Sequence, residues 1–136
     1  MRTLDWTEIL DEYIIQNRYR KYKYGSFDCV LFSTELVKKI IGINLLEGID
    51  YNDMKTGLDL LKKSGGLFKL TDLQMNKVGL KTIPLAFAQR GDVVGCMTEE
   101  HGETLGICIG SKFVSTGEDE LVFLPMKEVI KAWRIK

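Results

Sequence analysis

The sequence predicts an α+β fold, in which N-terminal helices pack on a C-terminal antiparallel sheet. In the first half of the chain, apolar residues recur at the 3.6-residue period of amphipathic helices. After Ile83 the pattern changes to short β-rich runs separated by turn residues. The connections between these runs are too short for a crossover helix, so we expect the strands to be antiparallel neighbours.

Four helices are expected in the first half, each marked by a cap or a stop residue. Asp5 and Glu8 have the spacing of a capping box and begin the first helix, which carries an apolar stripe over residues 6–14. The second helix has the most regular apolar spacing, and Gly42 ends it. Another capping box, at residues 71–74, begins the fourth. The predicted bounds of the last three helices are about 28–41, 52–63 and 71–79.

The second half of the sequence predicts five strands and one short helix. Turn residues separate the first four strands. Pro125 suits the first position of a short helix that ends near Lys131, after which the chain returns as a closing strand. The predicted strands are residues 92–97, 104–109, 112–115, 120–124 and 132–135.

The composition fits a single globular domain over residues 1–136. The chain is 45% hydrophobic and 28% charged, which is enough to form one moderate core. Its 19 basic and 19 acidic residues cancel, so no long-range field attracts nucleic acid or an anionic membrane. No apolar run approaches the roughly 20 residues of a membrane span, and the N-terminus turns acidic at Asp5. We therefore expect the protein to be made and folded in a cytoplasm.

Neither a metal nor another cofactor is expected. The three cysteines, Cys29, Cys96 and Cys108, and the single histidine, His101, cannot supply a four-ligand zinc set or a disulfide framework. The acidic segments 99–103 and 118–120 match no calcium loop, and we interpret them as solvated hairpin tips.

Cys29 is the candidate nucleophile because it lies in the first turn of the second helix. Unpaired N–H groups and the helix dipole stabilise a thiolate there, so the pKa of such a thiol falls well below about 8.5. The same N–H groups can hold an oxyanion. The alternative is a small buried cysteine on the core face of the helix, with Asp28 as its N-cap.

Four short motifs share their order and spacing with a known family. Residues 22–25 and 27–32 resemble its Tyr-x-Trp-Gly and Asp-Cys-x-x-Phe motifs. Residues 90–94 resemble its Gly-Asp-Leu-Val strand, and residues 105–110 resemble its His-Val-Gly-Ile-Tyr-Ile-Gly strand. The family is the NlpC-type cell-wall peptidases, which are small papain-like cysteine hydrolases. The resemblance implies a papain-like fold with Cys29 as nucleophile.

The chain is more similar to a divergent branch of that family, found in phages and prophages among tail genes. Members of this branch combine the motifs Gly-x-x-Asp-Cys, Gly-Gly-Leu, Arg-Gly-Asp-Val and Ala-Trp-Arg-Ile. These motifs lie here at residues 25–29, 65–67, 90–93 and 132–135. The resemblance therefore covers nearly the whole chain and implies a tail-associated protein.

The resemblance also implies where the rest of the site lies. The family's histidine position falls on Thr104 and its third polar position near Ser115, and neither hydroxyl can take the proton of a thiol near neutral pH. Tyr22 matches a family tyrosine whose hydroxyl helps to hold a substrate carbonyl. Tyr22, Asp28, Thr104 and Ser115 are thus the candidate substrate contacts.

His101 is the only other candidate for the catalytic base. It lies three residues before Thr104, so a regular strand points the two side chains to opposite faces, although Gly102 permits a bulge that re-aims the histidine. The alternative is an exposed loop histidine among three glutamates.

Three functions remain open at this point. The first is a phage or prophage tail protein that keeps the hydrolase fold as an assembly module with little or no peptidase activity. The second is an active hydrolase, with peptidoglycan as a candidate substrate, that uses Cys29 and His101. The third is a binding protein that inhibits a host protein. The expected partners are thus tail proteins or a host protein, and the expected location is the host cytoplasm and then the virion.

Nucleic-acid binding is the alternative raised by residues 18–24, which interleave basic and aromatic side chains. With zero net charge, we favour a solvated helix end instead, whose cations interact with the C-terminal helix dipole.

Overall fold

The computed structural model describes all 136 residues and has four α-helices followed by five strands. None of the helices has the length and apolarity needed to cross a membrane. The helices are α1 (Trp6–Asn17), α2 (Cys29–Ile41), α3 (Met54–Ser64) and α4 (Leu67–Lys77). The strands are β1 (Val93–Thr98), β2 (Gly102–Cys108), β3 (Lys112–Ser115), β4 (Val122–Pro125) and β5 (Lys131–Trp133).

The strands form one antiparallel sheet in the order β4-β3-β2-β1-β5. The first four strands form a meander, and β5 returns to the far edge, where Trp133 lies opposite Val93. The prediction of N-terminal helices packed on a C-terminal antiparallel sheet is confirmed.

Helix α2 has the bounds and caps that its sequence predicts. The carboxylate of Asp28 accepts a hydrogen bond of 2.9 Å from the N–H of Leu31, which pairs one of the free donors of the first turn. At the other end Gly42 adopts a left-handed conformation with φ of 75°, and its N–H bonds to the carbonyl of Lys38.

Helix α1 begins directly after Asp5, as predicted, but without the expected cap, and the start of α4 differs from the prediction. The side chain of Asp5 makes no capping hydrogen bond. Helix α4 begins at Leu67, so the predicted capping box at 71–74 lies inside the helix. There Thr71 donates to the carbonyl of Leu67 at 2.8 Å, and the Gln74 amide donates to a carbonyl of a distant loop, also at 2.8 Å. Both side chains therefore form buried hydrogen bonds and not a helix cap, and the spacing of Thr71 and Gln74 does not reveal this.

The helix predicted after Pro125 is reduced to one 3₁₀ turn, Met126–Glu128. The chain cannot continue as a helix because the N–H of Ile130 already bonds to the carbonyl of Gly95 in β1, at 2.8 Å. The closing strand accordingly begins at Lys131, one residue before its predicted start.

Apolar clusters cover both faces of the sheet. The larger one has 18 buried residues and lies between the helices and the sheet. The smaller one has six and lies on the opposite face, where it includes Cys96 and Cys108. The sheet is therefore buried on both sides, and Trp133 at its edge is fully buried, with its indole N–H donating to Asp72 at 2.8 Å.

A buried carboxylate joins the two ends of the chain. Asp92 is 0% exposed and forms ion pairs with Arg2 at 3.0 Å and Arg134 at 3.1 Å. It also accepts hydrogen bonds from the N–H groups of Gln89 and Ile135. Arg2 additionally donates to the carbonyl of Ile135 at 2.7 Å, so this cluster holds the N-terminal segment against the last strand.

Candidate functional site

Cys29 lies where strands β2 and β3 diverge. The two strands pair only at Ile107 with Val114 and at Cys108 with Phe113, although β2 begins five residues earlier, at Gly102. In an antiparallel ladder alternate N–H groups face alternate neighbours, and the N–H of Cys108 faces β1. The N–H of Leu105 therefore faces the β3 side, where it lies near the thiol of Cys29 and favours the ionised form of that thiol.

Burial dominates the chemistry of this thiol. It raises the pKa of Cys29 to about 12, and the N–H groups of Leu105 and of Cys29 itself oppose the increase only in part. The nearby groups Asp28 and Cys96 raise the pKa further. The expected low pKa at a helix N-terminus is thus wrong for this site, because desolvation of the sulfur outweighs the helix dipole.

Asp28 is part of the scaffold that holds Cys29. It is buried, and its carboxylate accepts hydrogen bonds from the N–H of Leu31 at 2.9 Å and the N–H of Gly25 at 3.0 Å. The hydroxyl of Tyr51 donates to it at 2.8 Å. Asp28 lines the cleft, as expected of a substrate contact, but the fold itself uses both of its oxygens.

Tyr51 and Tyr24 were not among the predicted site residues. Their rings meet edge to face, with centroids 5.8 Å apart, and the charge of Asp28 helps to raise the pKa of both phenols, after burial. The hydroxyl of Tyr24 lies so close to Gly57 that any side chain there would collide with it. In the sequence, the one sign of this contact is a glycine, Gly57, inside a predicted helix.

His101 lies in the turn between β1 and β2 and is exposed. Its ring stacks on Tyr22, with centroids 5.0 Å apart and an interplanar angle of 23°. Burial raises the pKa of Tyr22, and the charges of Asp28 and Cys29 raise it further. Tyr22 therefore contacts the imidazole and also lies close to the nucleophile position.

Thr104 and Ser115 are buried, and their hydroxyls bond within the sheet. The hydroxyl of Thr104 donates to the carbonyl of Gly102 at 3.1 Å and lies 3.3 Å from that of Thr98. Ser115 donates to the carbonyl of Leu105 at 2.6 Å, which connects β3 to β2 beyond their last paired residues.

One cavity of about 1200 Å³ brings all six predicted site residues together. From the cleft beside Cys29 it continues into an apolar channel between α2, α3 and α4. Ser33, one turn after Cys29 on α2, lines the same cavity. It is 1% exposed, and its hydroxyl is the one buried side-chain polar atom without a hydrogen-bond partner.

The fold, with Cys29 at the start of a helix that precedes an antiparallel sheet, is similar to that of an NlpC/p60 domain. The chain is similar to the crystal structure of the NlpC/p60 domain of peptidoglycan hydrolase SagA, with a TM-score of 0.59, 12% sequence identity and 95% of each chain covered. Residues 1–135 match the family described as Domain of unknown function (DUF6950), so the chain belongs to that family. A comparison with curated proteins gave no match.

Proposed function

We propose that this protein is a phage or prophage tail-associated protein that uses an NlpC-like fold as a binding or assembly module, with little or no peptidase activity. The observation that carries the proposal is Thr104 at the histidine position of the resembling peptidases, beside a Cys29 thiol whose pKa burial raises to about 12. At that pKa only roughly one thiol in 10⁵ is ionised at pH 7, and the thiolate is the nucleophile.

The surroundings of the thiol support the same conclusion. Leu105, whose N–H lies near the sulfur, directly follows Thr104, the position that carries the histidine in the resembling peptidases. The hydroxyl of Thr104 is bonded within β2 and is no base at neutral pH. The thiol–imidazole pair of those peptidases is thus replaced by a partly buried thiol with a raised pKa.

The assignment to phage tails rests on the sequence motifs. The Gly-Gly-Leu and Ala-Trp-Arg-Ile motifs at 65–67 and 132–135 belong to the branch found among tail genes. In the fold they lie at the start of α4 and in the last strand, where they are parts of the scaffold, although Leu67 also lines the cavity. These two motifs therefore support a role for the scaffold itself in assembly.

One observation favours an active hydrolase as the second candidate. His101 lines the same cavity as Cys29, and its ring stacks on Tyr22. Rotation of Tyr22 away from His101 would free the imidazole to approach the thiol. In that case Cys29 and His101 would act as an atypical pair.

The test is the pH dependence of iodoacetamide alkylation at Cys29, read by peptide mass spectrometry. We expect a midpoint well above the value of about 8.5 for a free thiol, unchanged in His101→Ala and lowered in Thr104→His. Cys96 and Cys108 are internal controls in the same digest, since burial also raises their pKa values. A low midpoint that is lost in His101→Ala would establish the active hydrolase instead.

The location has its own test. Phage particles purified from an induced lysogen that carries the gene should contain this protein at a fixed ratio to the tail proteins, by quantitative mass spectrometry. Its recovery only in the soluble host fraction, bound to a host enzyme, would support the host-directed binding function and contradict the assignment to tails.

A further inference from the structure

The cavity beside Cys29 is strongly acidic although the chain as a whole is neutral. Six of its lining residues are carboxylates and none is lysine or arginine, whereas the chain has 19 basic residues. The carboxylates are Asp28, Glu99, Glu100, Glu103, Glu118 and Glu128. The negative charge is therefore concentrated at this cavity, since the chain as a whole has a net charge of zero.

Most of these carboxylates have no cation of their own. The four ion pairs of the protein involve Asp11, Asp72 and Asp92, none of which lines the cavity. Two of the six are engaged in capping, because Asp28 caps α2 and Glu103 accepts from the N–H of Phe68 at 3.1 Å. No three acidic side chains converge as metal ligands do, so the rim carries several separate negative charges.

Ser33 is a second, independent sign of a ligand. A serine inside a helix ordinarily bonds back to a carbonyl of the preceding turn. Here the residue lines the cavity, and its hydroxyl is buried and lacks a partner. A buried, unpaired hydroxyl costs roughly 1–3 kcal/mol, and a ligand that supplies its partner recovers that cost.

We propose that this cavity binds a segment of a partner protein in which a lysine or arginine follows an apolar residue; this inference rests on the proposed function as a binding module. The apolar side chain fits the channel between α2, α3 and α4, which is lined mainly by leucines. A backbone amide of the segment bonds to Ser33, and the cationic side chain lies among Glu99, Glu100 and Glu118 at the mouth.

An extended peptide satisfies all three features together. A simple polyamine carries the charge but no apolar side chain for the channel. A fatty acid fits the channel, but its carboxylate meets a rim of the same sign. The charge and the apolar lining therefore favour a peptide over these ligands.

The experiment is a titration of the full chain, labelled with ¹⁵N, with the tetrapeptide Ac-Gly-Leu-Lys-Gly-NH2 and with its counterpart carrying Glu in place of Lys. Binding is followed by amide chemical shifts. We expect the lysine peptide to bind about tenfold more tightly at low ionic strength, to shift Ser33 and Leu105, and to lose most of the difference in about 0.5 M salt.

Three variants test the assignment. Glu99→Gln with Glu100→Gln should reduce the preference for the lysine peptide to about threefold or less. The matched control, Asp119→Asn with Glu120→Gln, removes the same charge from an adjacent turn outside the cavity and should leave the preference unchanged. Ser33→Ala should weaken both peptides to a similar extent without unfolding the protein, because its hydroxyl has no partner to lose.

Equal affinity for the two peptides, or an equal loss in the control variant, would overturn the inference. Tighter binding of spermidine than of the lysine peptide would also overturn it. Cleavage of the lysine peptide by the wild type but not by Cys29→Ser would contradict the proposal of a non-catalytic module, yet it would support the inferred ligand class. The two proposals therefore fail separately.

Discussion

At the scale of single residues, the thiol of Cys29 shows where sequence reasoning succeeds and where it stops. Its place at the start of α2 follows from the cap at Asp28 and the apolar spacing, and both are present in the structure. The pKa of the thiol does not follow from the sequence, because it depends on how far the folded chain desolvates the sulfur. Residues distant in the sequence desolvate the sulfur, and they come together only when the chain folds.

The raised pKa of Cys29 makes stability depend on pH in the alkaline range. The folded state holds the thiol proton more tightly than the unfolded state does, so this contribution is complete below about pH 8.5 and is lost as the pH rises toward 12. We expect the free energy of unfolding of the wild type to fall by up to about 1.4 kcal/mol per pH unit more than that of Cys29→Ser between pH 9 and 11.

The measurement is urea unfolding at a series of pH values, followed by tryptophan fluorescence. The tyrosines also titrate in this range, so the quantity to compare is the difference between wild type and Cys29→Ser. Parallel curves for the two proteins would mean that the thiol has an ordinary pKa and is open to solvent.

At the scale of elements, local signals predict α2 better than α4. Helix α2 is specified by contacts within its own ends, a carboxylate before its first turn and a glycine after its last. In α4 the residues Thr71 and Gln74 have the pattern of a cap, yet they are buried against Leu67 and a distant loop. Tyr51 was missed for the same reason, since its bond to Asp28 spans 23 residues.

The bond between Tyr51 and Asp28 should stabilise the start of α2. We expect Tyr51→Phe to lower the free energy of unfolding by about 1–2 kcal/mol, because a hydroxyl bonded to a carboxylate is lost. Asp28→Ala should cost more, about 2–4 kcal/mol, since it removes the helix cap and leaves Tyr51 and Gly25 without an acceptor.

Chemical unfolding of the two single variants and the double variant completes a cycle for this prediction. The cost of Tyr51→Phe should nearly vanish in the Asp28→Ala background. Additive costs would show that the two side chains act independently.

At the scale of the whole molecule, the α+β arrangement follows from the sequence because helical and strand patterns occupy separate halves. The order of the strands is harder to predict, because β5 lies beside β1 and not beside β4. That return depends on Asp92, which bonds to Arg2 near one end of the chain and to Arg134 near the other. No local pattern indicates a contact over such a separation.

Asp92→Asn should therefore destabilise the entire fold. The substitution leaves two partly buried guanidinium groups without a counter-charge, and breaking such pairs costs about 3–5 kcal/mol. Thermal unfolding monitored by circular dichroism measures the loss. Asp11→Asn is the control, since its pair with Arg90 is exposed and should contribute less than about 1 kcal/mol.

The divergence of β2 from β3 also gives the molecule a built-in reporter. The amide proton of Leu105 lies toward a sulfur atom, whereas Ile107, two residues further along β2, is paired with Val114 of β3. Its exchange with deuterated solvent therefore records how often the cleft opens, independently of the global unfolding that releases the paired amides of the same strand. The exchange rate of this one amide therefore measures local opening of the site, whereas the exchange rates of the paired amides measure global unfolding.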